Sequence, residues 1–461
     1  MTTLKRVFIA NRGEIAVRII RSCHAAGLET VVGVSEADID SLPARMAGRA
    51  ICIGPAQSEA SYLDVDTAIT AALGTGCDAL HPGYGFLAEN ADLAEACAQH
   101  GVTFIGPDAE TVRSLGDKVS ARGLAANAGV PVVPGRDDVS SYGDALTAAQ
   151  EIGFPILLKA AKGGGGRGMQ IVHSADRLRS AFDTARAEAR AAFGDDTLYI
   201  ERFVRVARHI EVQILGDRNG NVIHLGERDC TLQRRHQKIV EEGPATALPA
   251  GRVEEMREAA ADLARSVAYE GAGTVEFIFD QESGEFYFLE VNTRIQVEHP
   301  VTEMLTGVDL VAEQLRIASG KPLALKQDQI SLEGHVMECR ITAEAAAEAF
   351  RPSPGEITEW AVPKGEGIRV DTHCYPGCVV PPYYDSLLAK LIVSGDDRAD
   401  ALRRMRAALA EFRISGVDNT ISFLEALLER PEVRSDAVNT RWVEDVLEDP
   451  EFLERLKGGR R

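Results

Sequence analysis

No stretch of about 18 consecutive apolar residues occurs anywhere in the 461-residue chain, which argues against a membrane-spanning helix. The N-terminal run MTTLKRVFIANRGE is interrupted by Asn11, Arg12 and Glu14, too early for a signal-peptide core. The eight cysteines form no C-x-x-C pair and no zinc-type spacing, so neither a disulfide framework nor a zinc module is expected. Reduced thiols and a cytoplasmic setting follow as the expectation. Basic residues are in deficit: 50 Lys and Arg against 70 Asp and Glu, a formal charge of −20. Such a surface repels phosphate backbones and excludes a general nucleic-acid binder, so an anionic ligand must be held by a local basic cluster. Internal repeats and low-complexity linkers are absent as well. With 45% hydrophobic and 26% charged residues the composition is that of a globular protein, and the length suggests about three domains.

The first hundred residues alternate in period. RVFIA (6–10) reads as a buried strand, residues 14–26 as an amphipathic helix closed by Gly27, and TVVGVS (30–35) as a second strand. The pattern recurs through a helix near 64–73 and the strands CDALHP and VTFIGP (102–107). This predicts a parallel, Rossmann-like sheet with a ligand crevice beyond the strands' carboxyl ends, although no G-x-G-x-x-G follows the first strand. From about 115 the character changes: a helix over 116–128, then hairpin signals with turns at 216–220 and 281–285, and a long helix over 251–269. A third region, 334–441, mixes strands (HVMECRIT, GIRVDTH, LLAKLIVSG) with helices. The expected fold is α/β and α+β, in domains 1–114, 115–325 and 334–441 that share faces.

Three local patterns carry chemistry. Gly163 to Gly168 supply five glycines in six positions between two strand-like runs. A plain turn needs one or two, so a flap whose backbone N–H groups wrap polyphosphate oxygens is the better reading. In the hairpin GTVEFIFD–EFYFLEVN, symmetry about Ser283 pairs Glu276 with Glu290, and alternation puts Asn292 on the same face. Opposed carboxylates destabilise a sheet unless a divalent cation joins them, which favours Mg²⁺ held with nucleotide phosphates. Arg234, Arg235, His236 and Lys238 form the densest basic cluster of the middle region. Arg294 and Glu298, four apart, are either a weak surface ion pair or an anion-and-proton site. His209 and His236 are either hydrogen-bonded structural histidines or site residues.

The segments ANRGEIAVRI (10–19), HPGYGFLAEN (81–90), KAAKGGGGRGM (159–169), ERDCTLQRRHQK (227–238), EVNTRIQVEHPVTE (290–303) and PPYYDSLLAK (381–390) resemble, in order, the biotin carboxylases of the ATP-grasp superfamily. The resemblance implies a pre-ATP-grasp domain, an ATP-grasp domain and a biotin carboxylase C-terminal domain. It implies an ATP site of Lys118, Lys159, Gly165, Gly166, Glu201, Arg202, Phe203, Val204, His209 and His236. It further implies Mg²⁺ or Mn²⁺ on Glu276, Glu290 and Asn292, bicarbonate at Lys238, Arg294 and Val297, Glu298 as base, and Arg340 facing biotin. Two positions depart from the family's usual residues: Lys162, where a small residue is common, and Arg202, where a lysine is.

The implied reaction is a ligation. Bicarbonate loses a proton to Glu298 and attacks the γ-phosphate of ATP, and the carboxyphosphate formed carboxylates biotin. No methionine here precedes a lysine, so the biotin-attachment motif is missing and the vitamin is expected on a separate carrier protein. Too little chain follows the third domain for a biotinyl or carboxyltransferase domain. The implied setting is an acyl-CoA carboxylase, as in fatty acid biosynthesis, with a biotin carboxyl carrier protein, a carboxyltransferase subunit and a homodimeric carboxylase. A pyruvate-type carboxylase subunit, another ATP-grasp ligase and a non-catalytic nucleotide-binding regulator remain alternatives.

Overall fold

The computed structural model describes residues 4–160 and 169–458. Strands β1 (Arg6–Ile9), β2 (Glu29–Val34), β3 (Arg49–Cys52), β4 (Ala79–His81) and β5 (Thr103–Phe104) form a parallel sheet ordered β3-β2-β1-β4-β5. Helix Gly13–Ala25 crosses from β1 to β2 with Ile15, Ala16, Ile19, Ile20 and Cys23 buried against the sheet. The strand order reverses between β1 and β4, and a doubly wound sheet opens its crevice at that point. The loops there, Asn11–Glu14 and Pro82–Gly85, are tied together by the Asn11 amide, which donates to the carbonyls of Pro82 and Tyr84 at 2.7 Å each.

A small antiparallel sheet follows, ordered β6-β9-β7-β8, from β6 (Gly135–Val139), β7 (Ile156–Ala160), β8 (Gln170–Val172) and β9 (Leu198–Arg202). β7 and β8 pair as neighbours, so the glycine-rich segment does join two strands. Gly165, Gly166 and Lys162 lie outside the described residues. The helix expected over 116–128 runs over Lys118–Asn127 and is preceded by a separate helix, Ala109–Gly116. Asp117 divides them: its backbone is extended, and its carboxylate caps the second helix by accepting from Ser120 N at 2.8 Å.

The centre of the molecule is an eight-stranded sheet ordered β14-β13-β10-β11-β12-β15-β17-β16. Its strands are β10 (Ala207–Gly216), β11 (Val222–Arg234), β12 (Gln237–Gly243), β13 (Gly271–Asp280), β14 (Glu285–Asn292), β15 (His335–Thr342), β16 (Ile368–Thr372) and β17 (Leu387–Gly395). The β12–β15 ladder, Val240↔Cys339 to Gly243↔Val336, carries the sheet from the middle of the chain into its C-terminal region without a break. In β10, Ile210, Val212 and Ile214 face the core beneath helix Ala250–Ser266, while His209, Glu211 and Gln213 alternate onto the other face, buried too.

The β13–β14 hairpin reaches the Glu276↔Glu290 pairing by an unexpected route. Near the turn the ladder runs Asp280↔Glu285 to Phe277↔Phe288, a centre between residues 282 and 283 rather than on Ser283. Continued, it would pair Glu276 with Leu289 and send Glu290 to the opposite face. A register shift at Leu289, a β-bulge, brings Glu290 opposite Glu276 and leaves Val275↔Val291 and Thr274↔Asn292 in step. Phe277 anchors the core side, fully buried and edge-on to Phe286 at 5.5 Å between centroids. Phe277→Ala is expected to cost about 3–5 kcal/mol. Denaturant unfolding followed by circular dichroism measures it, and a midpoint unchanged from the parent would contradict this packing.

Candidate active site

Three rungs of the central sheet line up across four strands. Arg228 (β11) pairs with Glu211 (β10), Glu211 with Glu276 (β13), and Glu276 with Glu290 (β14). Paired residues share a face, so three carboxylates stand in adjacent strands roughly 4.8 Å apart. Left alone, that row would force the strands apart. Arg228, fully buried, neutralises one end: Nε donates to Glu211 at 2.5 Å, and its other nitrogens hold Gln213 (2.9 Å), Thr302 (2.7 Å) and Gln296 (2.7 Å).

Lys238, from β12, sits over the middle of the row. Its Nζ meets Glu211 at 2.5 Å, Glu276 at 3.0 Å and Glu298 at 2.6 Å. Burial alone would strip the lysine of its proton, but these three carboxylates overcome it and hold the ammonium well above the ordinary lysine value. Glu276 also accepts from Asn292 (2.8 Å) and Gln296 (2.7 Å) and lies 2.7 Å from His209 Nε2. Against the cost of burial, Lys238 and His209 keep its carboxyl far below the carboxylate range.

Glu290, at the far end, is different. Among the described residues no donor reaches its carboxylate, and burial together with the charge of Glu276 pushes its pKa up, with Lys118 the nearest opposing influence. Half-buried Glu290, beside the Glu276 carboxylate and the Asn292 amide oxygen, completes an all-oxygen donor set, and its own carboxylate is the member with no cationic partner in contact among the described residues. Such a partner is what a hard divalent cation like Mg²⁺ supplies, so the residues fit one.

Glu298 caps helix His299–Thr306 from the irregular segment after β14. It does not pair with Arg294, as spacing alone had allowed. Its oxygens instead accept from Lys238 (2.6 Å) and Arg340 Nη2 (2.9 Å), which hold it well below the carboxylate range despite burial. Arg294 turns to Glu89 (3.0 Å) and Asn292 (2.9 Å). The Val297 carbonyl accepts from Lys390 at 2.8 Å.

Every residue expected in the nucleotide, metal, bicarbonate and biotin sites, except Gly165 and Gly166, lines one cleft of about 1480 Å³, walled by the parallel sheet, the small sheet and the central sheet, whereas Arg235 of the basic cluster does not line it. At one end Lys159 pairs with Glu201 at 2.5 Å, Arg202 donates to the Tyr287 hydroxyl at 2.6 Å, and Phe203 and Val204 continue the wall. His236 is exposed, in a left-handed turn (φ 65°) between β11 and β12. Sequence reasoning missed Glu211, Arg228, Gln296, Glu241 and Lys390. For Glu211 a signal existed: the strictly alternating H-x-E-x-Q of β10.

Behind Arg340 lies a second carboxyl pair. Glu241 and Glu338 are opposed in register, and Glu241 accepts from Arg340 Nε at 2.6 Å, while neither oxygen of fully buried Glu338 has a partner among the described residues. Burial raises Glu241 to about 7 and Glu338 well above its ordinary value. An acid whose folded value is raised stabilises the fold fully below the unfolded value, about 4.5, and loses that contribution as pH climbs through the folded one. Glu338→Gln, which keeps the shape without the charge, should therefore show a smaller fall in melting temperature than the parent from about pH 5 to about pH 9. Parallel melting curves would show that Glu338 does not titrate there.

The same division and the same cleft occur in characterised proteins. Family models described as "Biotin carboxylase, N-terminal domain", "Carbamoyl-phosphate synthase L chain, ATP binding domain" and "Biotin carboxylase C-terminal domain" match residues 3–112, 117–326 and 338–445. Biotin carboxylase 1 of Bacillus subtilis is 50% identical over 442 residues, covering 96% of this chain and 98% of that protein. The crystal structure of a biotin carboxylase–β,γ-ATP complex from Campylobacter jejuni superposes with a TM-score of 0.92 at 45% identity, covering 96% of this chain and 99% of that one. The biotin carboxylase domain dimer of Hydrogenobacter thermophilus 2-oxoglutarate carboxylase, in complex with MgADP, ADP and bicarbonate, gives a TM-score of 0.92 at 43% identity over 98% and 99%. Likeness this close, sustained through all three regions that wall the cleft, means that the chain belongs to the biotin carboxylase family.

Proposed function

We propose that this chain carboxylates biotin with bicarbonate at the expense of MgATP, as the first half-reaction of an acyl-CoA carboxylase. The biotin is carried by a biotin carboxyl carrier protein and the carboxyl group is passed on by a carboxyltransferase subunit. One observation carries the reading: a single ammonium, Lys238, joins the carboxylate row that fits a metal (Glu276, Glu290) to the isolated carboxylate at the mouth of the irregular segment (Glu298). A phosphate-activating centre and a proton acceptor thus meet at one cation. A homodimer is proposed by analogy with the Hydrogenobacter domain dimer.

The roles divide along the cleft. Glu201, Arg202, Phe203, Val204 and His209 bound the nucleotide end, with His236 on its rim, and Lys118 and Lys159 bring positive charge toward the phosphates. Glu276, Glu290 and Asn292 would hold Mg²⁺ or Mn²⁺. Such an ion bridges phosphate oxygens and offsets the charge that develops on the transferring phosphoryl group. Lys238, Arg294 and Val297 hold bicarbonate, and Glu298 takes its proton. The freed oxygen attacks the γ-phosphorus, ADP leaves, and carboxyphosphate forms. It breaks to CO₂ and phosphate. The phosphate removes the proton from biotin N1′ while Arg340 steadies the enolate, and N1′ then adds to CO₂.

Arg340 and Lys238 both bond Glu298. An entering bicarbonate competes for those cations, and as they turn to it the carboxyl regains basicity. The base is thereby strengthened when its substrate arrives.

Purified protein is expected to hydrolyse ATP in a bicarbonate-dependent manner that free biotin stimulates, and absence of that dependence would overturn the reading. Glu298→Gln should lower turnover by roughly 10²–10⁴-fold with nucleotide binding within about twofold of the parent. If calorimetry instead shows nucleotide binding lost, the side chain is structural. Glu276→Gln should raise the Mg²⁺ concentration for half-maximal activity at least about tenfold, and an unaltered metal response contradicts its place in the metal site.

A further inference from the structure

The segment Thr293–Glu298 is neither strand nor helix, so no ladder fixes its backbone. Its side chains are anchored individually, but among the described residues no backbone N–H reaches the Val297 carbonyl. A buried carbonyl requires a partner, and here the partner is the Lys390 ammonium at 2.8 Å. Lys390 has no solvent exposure. It meets Glu14 at 2.9 Å, at the start of the first helix, and Asp371 at 3.9 Å, on β16. One ammonium with three protons thus ties together the parallel sheet, the segment after β14 and the far edge of the central sheet.

Register makes the contact rigid. Lys390 (β17) is directly opposed to Arg340 (β15) on one side and Asp371 (β16) on the other. Opposed residues share a face, so the two cations leave the sheet side by side and grip the two halves of one dipeptide. Lys390 takes the carbonyl of Val297 and Arg340 the carboxylate of Glu298. Charge balance explains a lysine rather than a neutral donor. Asp371 has a partner of its own in Arg369 (2.6 Å), whereas Glu14 is buried and, among the described residues, has only Lys390 for a cation, besides a hydrogen bond from Tyr84.

We infer that Lys390 is a positioning residue for the bicarbonate subsite: by holding the Val297 carbonyl it fixes the peptide that aims the Glu298 carboxylate. The inference rests on the reading that Val297 and Glu298 meet bicarbonate. A misplacement of about 1 Å at reacting groups costs on the order of 100-fold in rate. The nucleotide end of the cleft is built on other strands, so the loss should fall on bicarbonate and not on ATP.

The test is steady-state ATPase kinetics of Lys390→Met and of the double variant Lys390→Met/Glu14→Gln, which also removes the carboxylate left without its cation should the single variant fold poorly. The expected result is a loss of about 100-fold in kcat/KM for bicarbonate, with KM for ATP and ADP affinity within about twofold of the parent. Proportional loss toward both substrates, or unchanged kinetics toward bicarbonate in the folded double variant, overturns the inference. If the parent itself lacks bicarbonate dependence, the reading of the site fails first, which separates the two.

Discussion

The structure turns on one buried ammonium among three carboxylates. Glu211, Glu276 and Glu298 come from two strands and an irregular segment, and without Lys238 their charges would repel at contact distance at the buried floor of the cleft. Removing one partner from such a buried set typically costs about 3–5 kcal/mol, because the remaining charges lose their compensation. The arrangement is costly as a way of stabilising a sheet. A row of leucines would do that better, so the carboxylates are there for chemistry. The sheet tolerates them because cations enter from the neighbouring strands: Arg228 of β11 at one end, Lys238 of β12 over the middle, and at the Glu290 end a place that fits a metal.

That gradient along the row explains how like residues differ in behaviour. Glu211 and Glu276 are saturated with donors and act as fixed negative walls. Glu290 is starved of them and is left for an ion. Glu298 stands outside the row, shares Lys238 with it, and is the carboxylate whose cations a small anion can draw away. Nothing but position distinguishes these glutamates chemically. Strand register, down to the bulge at Leu289, sets which of the row's glutamates are surrounded by donors and which has none in contact among the described residues.

Local signals were legible in the sequence and sheet-wide ones were not. The βαβ alternation, the hairpin turns and the pairing of Glu276 with Glu290 follow from residues near one another in the chain. Even there the pairing was reached through a symmetric turn, while the protein uses an offset turn corrected by a bulge. The two routes agree because each shifts the register by one residue. Glu211 and Arg228 join the row only through the non-consecutive order β13-β10-β11, which no short window contains. The spacing of Arg294 and Glu298 allowed an ion pair between them, but the chain there is irregular, and Arg294 reaches back across some two hundred residues to Glu89. The expected helix start at 116 lies two residues early because the capping carboxylate of Asp117 reads equally well as an exposed helix residue.

The continuity of the eight-stranded sheet constrains which parts of the cleft can move relative to one another. Lys238, Glu276, Glu290, Arg340 and Lys390 all stand on strands of a single hydrogen-bonded sheet, so their mutual geometry is set by ladder bonds and is as stiff as the sheet itself. The four-stranded lobe of β6 to β9 is separate: its core of Val139, Ile156, Leu158, Phe182 and Ile200 forms a cluster apart from that of the central sheet. Its links to the rest include Phe288 N to the Pro131 carbonyl at 2.7 Å and a single bridge between Val132 and Phe288. Lys159 and Glu201 ride on that lobe. The residues proposed to hold a metal and aim a base are thus on the stiff body, and Lys159, proposed to meet the nucleotide's phosphates, is on the unit with its own core. A cleft built this way can close over a nucleotide without disturbing the distances on which proton transfer depends.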